Sequence, residues 1–144
     1  MSRPTPPKRE AYPHFLIIPT RWNDNDTYGH VNNAVYYYFI DTVVNCYLID
    51  NGLLDLKTSN TIGLAVDTGC RFFDSVEYPD IVHAGLRVSK LGNSSVTYDI
   101  GIFKNDDQSA AAQGHFVHVY VDAKTRRPVK ISDMMRKKLT EILV

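Results

Sequence analysis

Asn33-Ala34-Val35-Tyr36-Tyr37-Tyr38-Phe39-Ile40-Asp41-Thr42-Val43-Val44-Asn45-Cys46-Tyr47-Leu48-Ile49-Asp50 is the stretch that decides the fold. Its polar residues Asp41, Thr42 and Asn45 form a narrow stripe, while Val35, Tyr36, Phe39, Ile40, Val43, Val44, Tyr47 and Leu48 cover most of the rest. The pattern predicts a helix from Asn32 or Asn33 to about Asp50, greasy nearly all round and therefore buried. Gly52 supplies a left-handed stop beyond its C-terminus. At 1.5 Å per residue such a helix is about 27 Å long, too much apolar surface for another small helix to cover. A sheet must wrap it.

The sequence on either side supplies that sheet. Phe15 to Thr20 is a short apolar run rich in β-branched residues, which reads as a first strand. From Thr61 to Asp74 the even positions Ile62, Leu64, Val66, Cys70 and Phe72 are apolar and the odd ones mostly polar or small, a period of two. Val82, Ala84, Leu86 and Val88 repeat it, and so do Val96, Tyr98, Ile100 and Ile102 after a turn at Gly92-Asn93. Asn105-Asp106-Asp107 marks the next turn, and Ala110 to Val121 the last long strand. A final amphipathic helix is expected from Ser132 as N-cap, with Met135, Leu139 and Ile142 inward and Arg136, Lys137 and Lys138 outward. One strand, one buried helix and a run of antiparallel strands make an α+β domain of about five strands around a long helix, with a short C-terminal helix. A sheet this small leaves edges that must be paired or covered.

Bulk composition narrows the function. One domain suits 144 residues, placed at 14–144 behind a flexible N-terminal tail, 1–13, with three prolines in its first seven residues. Sixteen Lys plus Arg balance sixteen Asp plus Glu, so no general field recruits nucleic acid or an acidic membrane surface. No apolar run approaches the length of about 20 residues that crosses a bilayer, and the N-terminus lacks the apolar core of a secretory signal. A soluble, cytoplasmic protein is expected. Cys46 and Cys70 have no spacing that suggests a metal site or disulfide framework and read as small buried hydrophobes. His115 and His118, three apart in a strand, point to opposite faces and cannot share a metal.

Chemistry concentrates just before the long helix, in Arg21-Trp22-Asn23-Asp24-Asn25-Asp26-Thr27-Tyr28-Gly29-His30-Val31-Asn32-Asn33-Ala34-Val35-Tyr36. A helix start carries unpaired N–H groups and partial positive charge, which can polarise a carbonyl oxygen beside a carboxylate. The window resembles the active-site segment of the hot-dog-fold acyl-thioesterases, the 4-hydroxybenzoyl-CoA thioesterase-like family, whose pattern is met by Asp24, Asp26, Gly29, His30, Val31, Asn32, Asn33 and Tyr36. The exit segment from Val121 to Pro128 is similar to that family's last strand and turn.

The resemblance implies the hot-dog fold and an acyl-CoA thioesterase that needs no metal or redox cofactor and works as a homodimer or homotetramer. It places the acidic catalyst at Asp26, as nucleophile on the thioester carbonyl or as general base toward water. Read without it, Asp24 and Asp26 are loop residues making Asx-turns, and Asp24 can be the member that holds the loop. The Asn33 N–H is the expected oxyanion donor. His30 reads either as a helix-start cap or as a catalyst steering the carbonyl; plant acyl-carrier-protein thioesterases share the His-Val-Asn-Asn string, but Tyr28 stands where they carry Asn. Gly29, Asn32, Tyr36 and Thr68 are expected to contact substrate, although a Thr is equally at home in a strand. Coenzyme A phosphates need cationic or N–H partners, for which Arg87, Lys90, Ser94 and Ser95 around the Gly92-Asn93 turn are the candidates. The alternatives are an acyl-acyl-carrier-protein thioesterase and a non-catalytic hot-dog protein that binds an acyl thioester.

Overall fold

The computed structural model describes residues 4–55, 57 and 59–144. The first strand, β1 (His14–Pro19), leads through a loop into helix α1 (Asn33–Asp50), followed by β2 (Thr61–Phe72), β3 (Ile81–Leu91), β4 (Ser95–Lys104), β5 (Ala112–Asp122) and helix α2 (Asp133–Thr140). All five strands lie in one antiparallel sheet in the order β1-β3-β4-β5-β2. α1 lies across one face of it. Val82, Ala84, Leu86 and Val88 of β3 and Val96, Tyr98, Ile100 and Ile102 of β4 are fully buried in the core with Phe39, Ile40, Val43 and Val44 of α1, so the period of two was a true reading of both strands.

Both helices end as their sequences predict. The Asn32 side chain accepts from the Ala34 N–H and caps α1. At the other end Gly52 has φ +70°, its N–H donates to the Ile49 carbonyl, and the Leu53 N–H donates to that of Leu48. This pair of bonds is the Schellman arrangement, which only a residue tolerant of the left-handed conformation closes without strain. In α2 the Ser132 hydroxyl accepts from the Met135 N–H, and Met135 and Leu139 are buried.

Three expectations are corrected. α1 is not buried all round: Tyr36, Phe39, Ile40, Val43, Val44, Tyr47 and Leu48 face the sheet, but Tyr37, Tyr38 and Ile49 are exposed on the opposite side. One sheet face covers one helix face, whatever the hydrophobicity of the other. In β2 the regular alternation breaks at a bulge between Ala65 and Asp67, where Val66 is the extra residue and is 59% exposed. Past the bulge Cys70 pairs with Gly114 on the helix side, but before it Gly63 and Ala65 pair with the buried Tyr120 and His118. An inserted residue flips every side chain beyond it, so Ile62 and Leu64 do not share a face with Cys70 and Phe72.

The third correction concerns the N-terminal segment, whose described part is not loose. The Arg9 N–H donates to the Gln108 carbonyl and the Ala110 N–H to that of Pro7, while the Arg9 guanidinium reaches the carbonyls of Asn105 and Asp107. Tyr12 is buried on the sheet face away from α1, over Gly85 and Gly101, where a Cβ would come within 2.8 and 2.6 Å of its ring. Its hydroxyl donates to Asp99 at 2.9 Å. Asp99 also accepts from Arg87 and Gln113, so this buried carboxylate is paired and hydrogen-bonded. Composition gave no sign of this, because the anchoring depends on two glycines far away in sequence.

Candidate active site

The loop between β1 and α1 is fixed at several points. Asp24 is buried and its carboxylate accepts the Arg21 backbone N–H at 2.7 Å and the Arg21 guanidinium at 2.8 and 3.0 Å, while its own carbonyl accepts the Asn32 N–H. The Asn25 side chain accepts the Tyr78 N–H at 3.0 Å, and the Val31 N–H donates to the Val76 carbonyl at 2.7 Å. Asp24 is thus the member that holds the loop. A buried carboxylate held by three donors, one of them a guanidinium, is committed to the loop rather than offered to a substrate.

Between these anchors residues 26–30 form a tight turn. The Asp26 N–H donates to the His30 carbonyl at 2.9 Å and the Gly29 N–H to that of Asp26 at 3.1 Å. Gly29 has φ +83°, the backbone conformation that the turn needs and that a side chain disfavours. One Asp26 carboxylate oxygen, Oδ1, accepts the Tyr28 N–H at 2.8 Å, the Asx-turn anticipated for a loop aspartate. Oδ2 makes no hydrogen bond among the described residues, and the residue is half-buried. Structural turn and reactive carboxylate are compatible, since one oxygen serves each.

Beyond the turn the first N–H groups of α1 divide the same way. The Ala34 N–H is taken by the Asn32 side chain and the Val35 N–H by the Asn32 carbonyl, but the Asn33 N–H meets no acceptor among the described residues. Asn33 is exposed and lines a groove of about 440 Å³ with His30, Val31, Tyr36, Phe72, Asp74 and Ser75. The Tyr36 ring stands edge-on to Phe72 at 4.9 Å between centroids, and burial pushes its hydroxyl pKa up to about 12, so it is a neutral hydrogen-bonding group. His30 is exposed and lines the groove, its ring has no partner among the described residues, and the cap of α1 is Asn32 rather than His30.

Not every expected residue comes to this place. Asp26 belongs to the turn beside the groove and does not line it. Thr68 donates its hydroxyl to the His115 carbonyl at 2.9 Å across the β2–β5 ladder, so it is spent on the sheet, as a strand threonine commonly is. Arg87 is not a free cation: its guanidinium binds Asp99, 2.8 Å from Nε, and stacks over Tyr12 on the sheet face away from α1. Lys90, Ser94 and Ser95 sit at the far end of β3 and β4, beside α2, where the Ser94 carbonyl accepts the Tyr120 N–H and that of Ser95 the Gly92 N–H. The near end of β3, next to Thr20 and Asp80, is nine residues from Lys90, or roughly 30 Å. Three of the four proposed phosphate ligands, Lys90, Ser94 and Ser95, and the helix start are therefore at opposite ends of the sheet.

The sequence reading missed Asp74. Its carboxylate enters the same groove from the end of β2, 3.0 Å from Lys104, and accepts the Ser75 N–H. The Lys104 hydrogen bond, then that of Ser75, hold its pKa below the usual carboxylate value. Only the pairing of β2 against β5 brings it beside α1, and no local pattern signals it.

The profile of the thioesterase-like superfamily matches residues 20–139, which span the loop, the groove and four of the five strands. The chain belongs to that superfamily. As a member it is a thioester hydrolase, and its sheet, long helix and short C-terminal helix are the hot-dog fold. It is 48% identical to the PA5185 protein of Pseudomonas aeruginosa strain PAO1, with 97% of each chain covered and a TM-score of 0.93. A second Pseudomonas aeruginosa protein, PA2801, provisionally named a thioesterase, is 27% identical over 86% of this chain and 95% of its own, at a TM-score of 0.81. The DHNA-CoA thioesterase of Staphylococcus aureus shares the fold at 17% identity, 89% of each chain covered and a TM-score of 0.79. Among curated proteins none matches.

Proposed function

We propose that this thioester hydrolase acts on acyl-CoA, with the Asn33 N–H as oxyanion donor and Asp26 as the acid that attacks the carbonyl or activates water. The observation that carries the reading is the unpaired Asn33 N–H at the start of α1, adjoining a turn that leaves Asp26 Oδ2 free. Peptide dipoles aligned behind that N–H favour negative charge developing on the thioester oxygen, worth roughly 3 kcal/mol in the transition state. Gly29 lets the turn close, Asn32 satisfies the neighbouring amides so that only one is offered, and Tyr36 walls the groove. His30 steers the carbonyl or protonates the departing thiolate. A thiol pKa near 8.5 makes that thiolate a good leaving group, so the proton is a minor contribution.

A homodimer or larger assembly belongs to the proposal. β2 is twelve residues of unpaired sheet edge carrying the exposed Val66, and Tyr37 and Tyr38 are exposed on the free face of α1. Long unpaired edges and aromatic patches of this kind are normally covered. Phosphate contacts from Lys90, Ser94 or Ser95 to a CoA at the helix start would then come from a neighbouring subunit, since their own lie too far away.

A panel of acyl-CoAs of increasing chain length, with the matching acyl-acyl-carrier-proteins, tests the substrate class through a thiol reagent. Release of CoA well above the buffer rate on at least one chain length, faster than from the carrier protein, is expected. Turnover of carrier-protein substrates alone would replace the substrate, and thiol release at the buffer rate from both would make the protein a binder.

A further inference from the structure

A second cavity, of about 330 Å³, opens at the other end of α1. It is lined by Asn45 and Leu48, twelve and fifteen residues beyond Asn33, or roughly 18 to 22 Å along the helix. Between it and the groove at Asn33, Phe39, Ile40, Val43 and Val44 are fully buried against the sheet. The walls are apolar, with Leu48, Leu54, Ile62, Ile131 and Met135, and Asn60, Ser132 and Lys130 also line it.

His118 and Tyr120, 5% and 4% exposed, complete this cavity, and neither the His118 Nδ1 nor the Tyr120 hydroxyl has a hydrogen-bond partner. The Tyr98 hydroxyl adjoins that of Tyr120, and the two phenols interact without forming a hydrogen bond of good geometry. A buried polar group left unsatisfied typically costs about 1–3 kcal/mol, and here two of them, on His118 and Tyr120, line one space. Burial pushes the His118 pKa down to about 4, so its ring is neutral at physiological pH. A neutral imidazole and a phenol give a carboxylate no compensating charge, whereas a hydroxyl can donate to one and accept from the other. Lys130 is exposed and makes no ion pair among the described residues, which leaves it for an anionic group. At about 30 Å³ per non-hydrogen atom the cavity admits roughly eleven such atoms.

We propose that this cavity binds a medium-chain aliphatic carboxylic acid with a hydroxyl at its far end, the hydroxyl on His118 and Tyr120, the chain against the apolar walls and the carboxylate beside Lys130. The site is independent of the thioesterase reaction at Asn33, and neither requires the other.

The test uses the full chain labelled with ¹⁵N-histidine, titrated with 8-hydroxyoctanoic acid and, separately, octanoic acid. Calorimetry reads affinity and nuclear magnetic resonance reads the His118 ring nitrogens. The hydroxy acid is expected to shift those ring signals and to bind about tenfold more tightly than octanoic acid, the worth of one well-made hydrogen bond. Tyr120→Phe, which keeps the ring and removes one oxygen, should lose most of that preference, as should His118→Gln if Tyr120→Phe fails to fold. Asp26→Asn should bind the hydroxy acid as the parent does, which separates this site from the catalytic one. Equal affinity for the two acids, or undisturbed His118 signals on adding the hydroxy acid, would overturn the proposal and leave water as the partner of the unsatisfied groups.

Discussion

Gly29 and Asp74 separate the catalytic account from its neighbours. Gly29 has φ +83° and open space where a Cβ would stand, so Gly29→Val is resisted by backbone strain alone and not by collision. Strain of about 1–2 kcal/mol should move the turn or spread into the start of α1. The expected outcome is a fold intact by circular dichroism with kcat at least tenfold lower, read in a steady-state thiol-release assay; an unchanged kcat would mean the turn does not position the chemistry. Asp74 shares the groove, but its lowered pKa makes it a weak base and Lys104 already pairs its charge. Asp74→Asn should therefore lower kcat/KM less than about tenfold, and a loss of a thousandfold would transfer the acid's role to it. The loop-holding place of Asp24, the turn at Asp26 and Gly29 and the helix start at Asn33 were legible in sequence because they depend on near neighbours and the first turn of a helix. Asp74 and the Arg87–Asp99 pair were not, since strand pairing, about forty residues away for Asp74 and twelve for Arg87, decides what they face.

Strand and helix packing has its own check at Gly114, on β5 opposite Ile40. A Cβ there would stand 2.3 Å from Ile40 Cδ1, and Ile40 is completely buried with nowhere to withdraw. Gly114→Ala is expected to destabilise the protein by about 1–3 kcal/mol in urea unfolding, the usual result of overfilling a packed core. A neutral effect would show that α1 lies further from the sheet. The periodicity of β3 and β4 and both helix caps were readable because burial on one face writes itself into every second residue, and capping into fixed positions. β2 was misread before Val66 because a bulge leaves no compositional mark, and the exposed side of α1 because hydrophobicity reports what is buried in the assembled state, not by which surface.

For the folded protein as one body, His118 sets an acid limit. Its pKa is about 4 folded against an ordinary 6.5, so between those values the unfolded chain binds the extra proton and stability falls as pH falls. The loss from pH 7 to pH 4 should reach about 3 kcal/mol, and His118→Gln should remove most of that slope in unfolding measured across the range. Sedimentation should find a dimer or larger species that Tyr38→Glu weakens, because the exposed side of α1 is the surface a second subunit would cover. Recognition of the superfamily from residues 24–36 was sound, whereas the phosphate patch was not assembled with it, because three of its members occupy the far end of the sheet. Above all, the account requires one carboxylate oxygen beside an unpaired helix amide. Comparing kcat/KM of Asp26→Asn with the parent on the best acyl-CoA tests this directly: the Asx-turn survives through the amide oxygen, so the fold should hold while activity falls about 10² to 10⁴-fold. A variant as fast as the parent would contradict it.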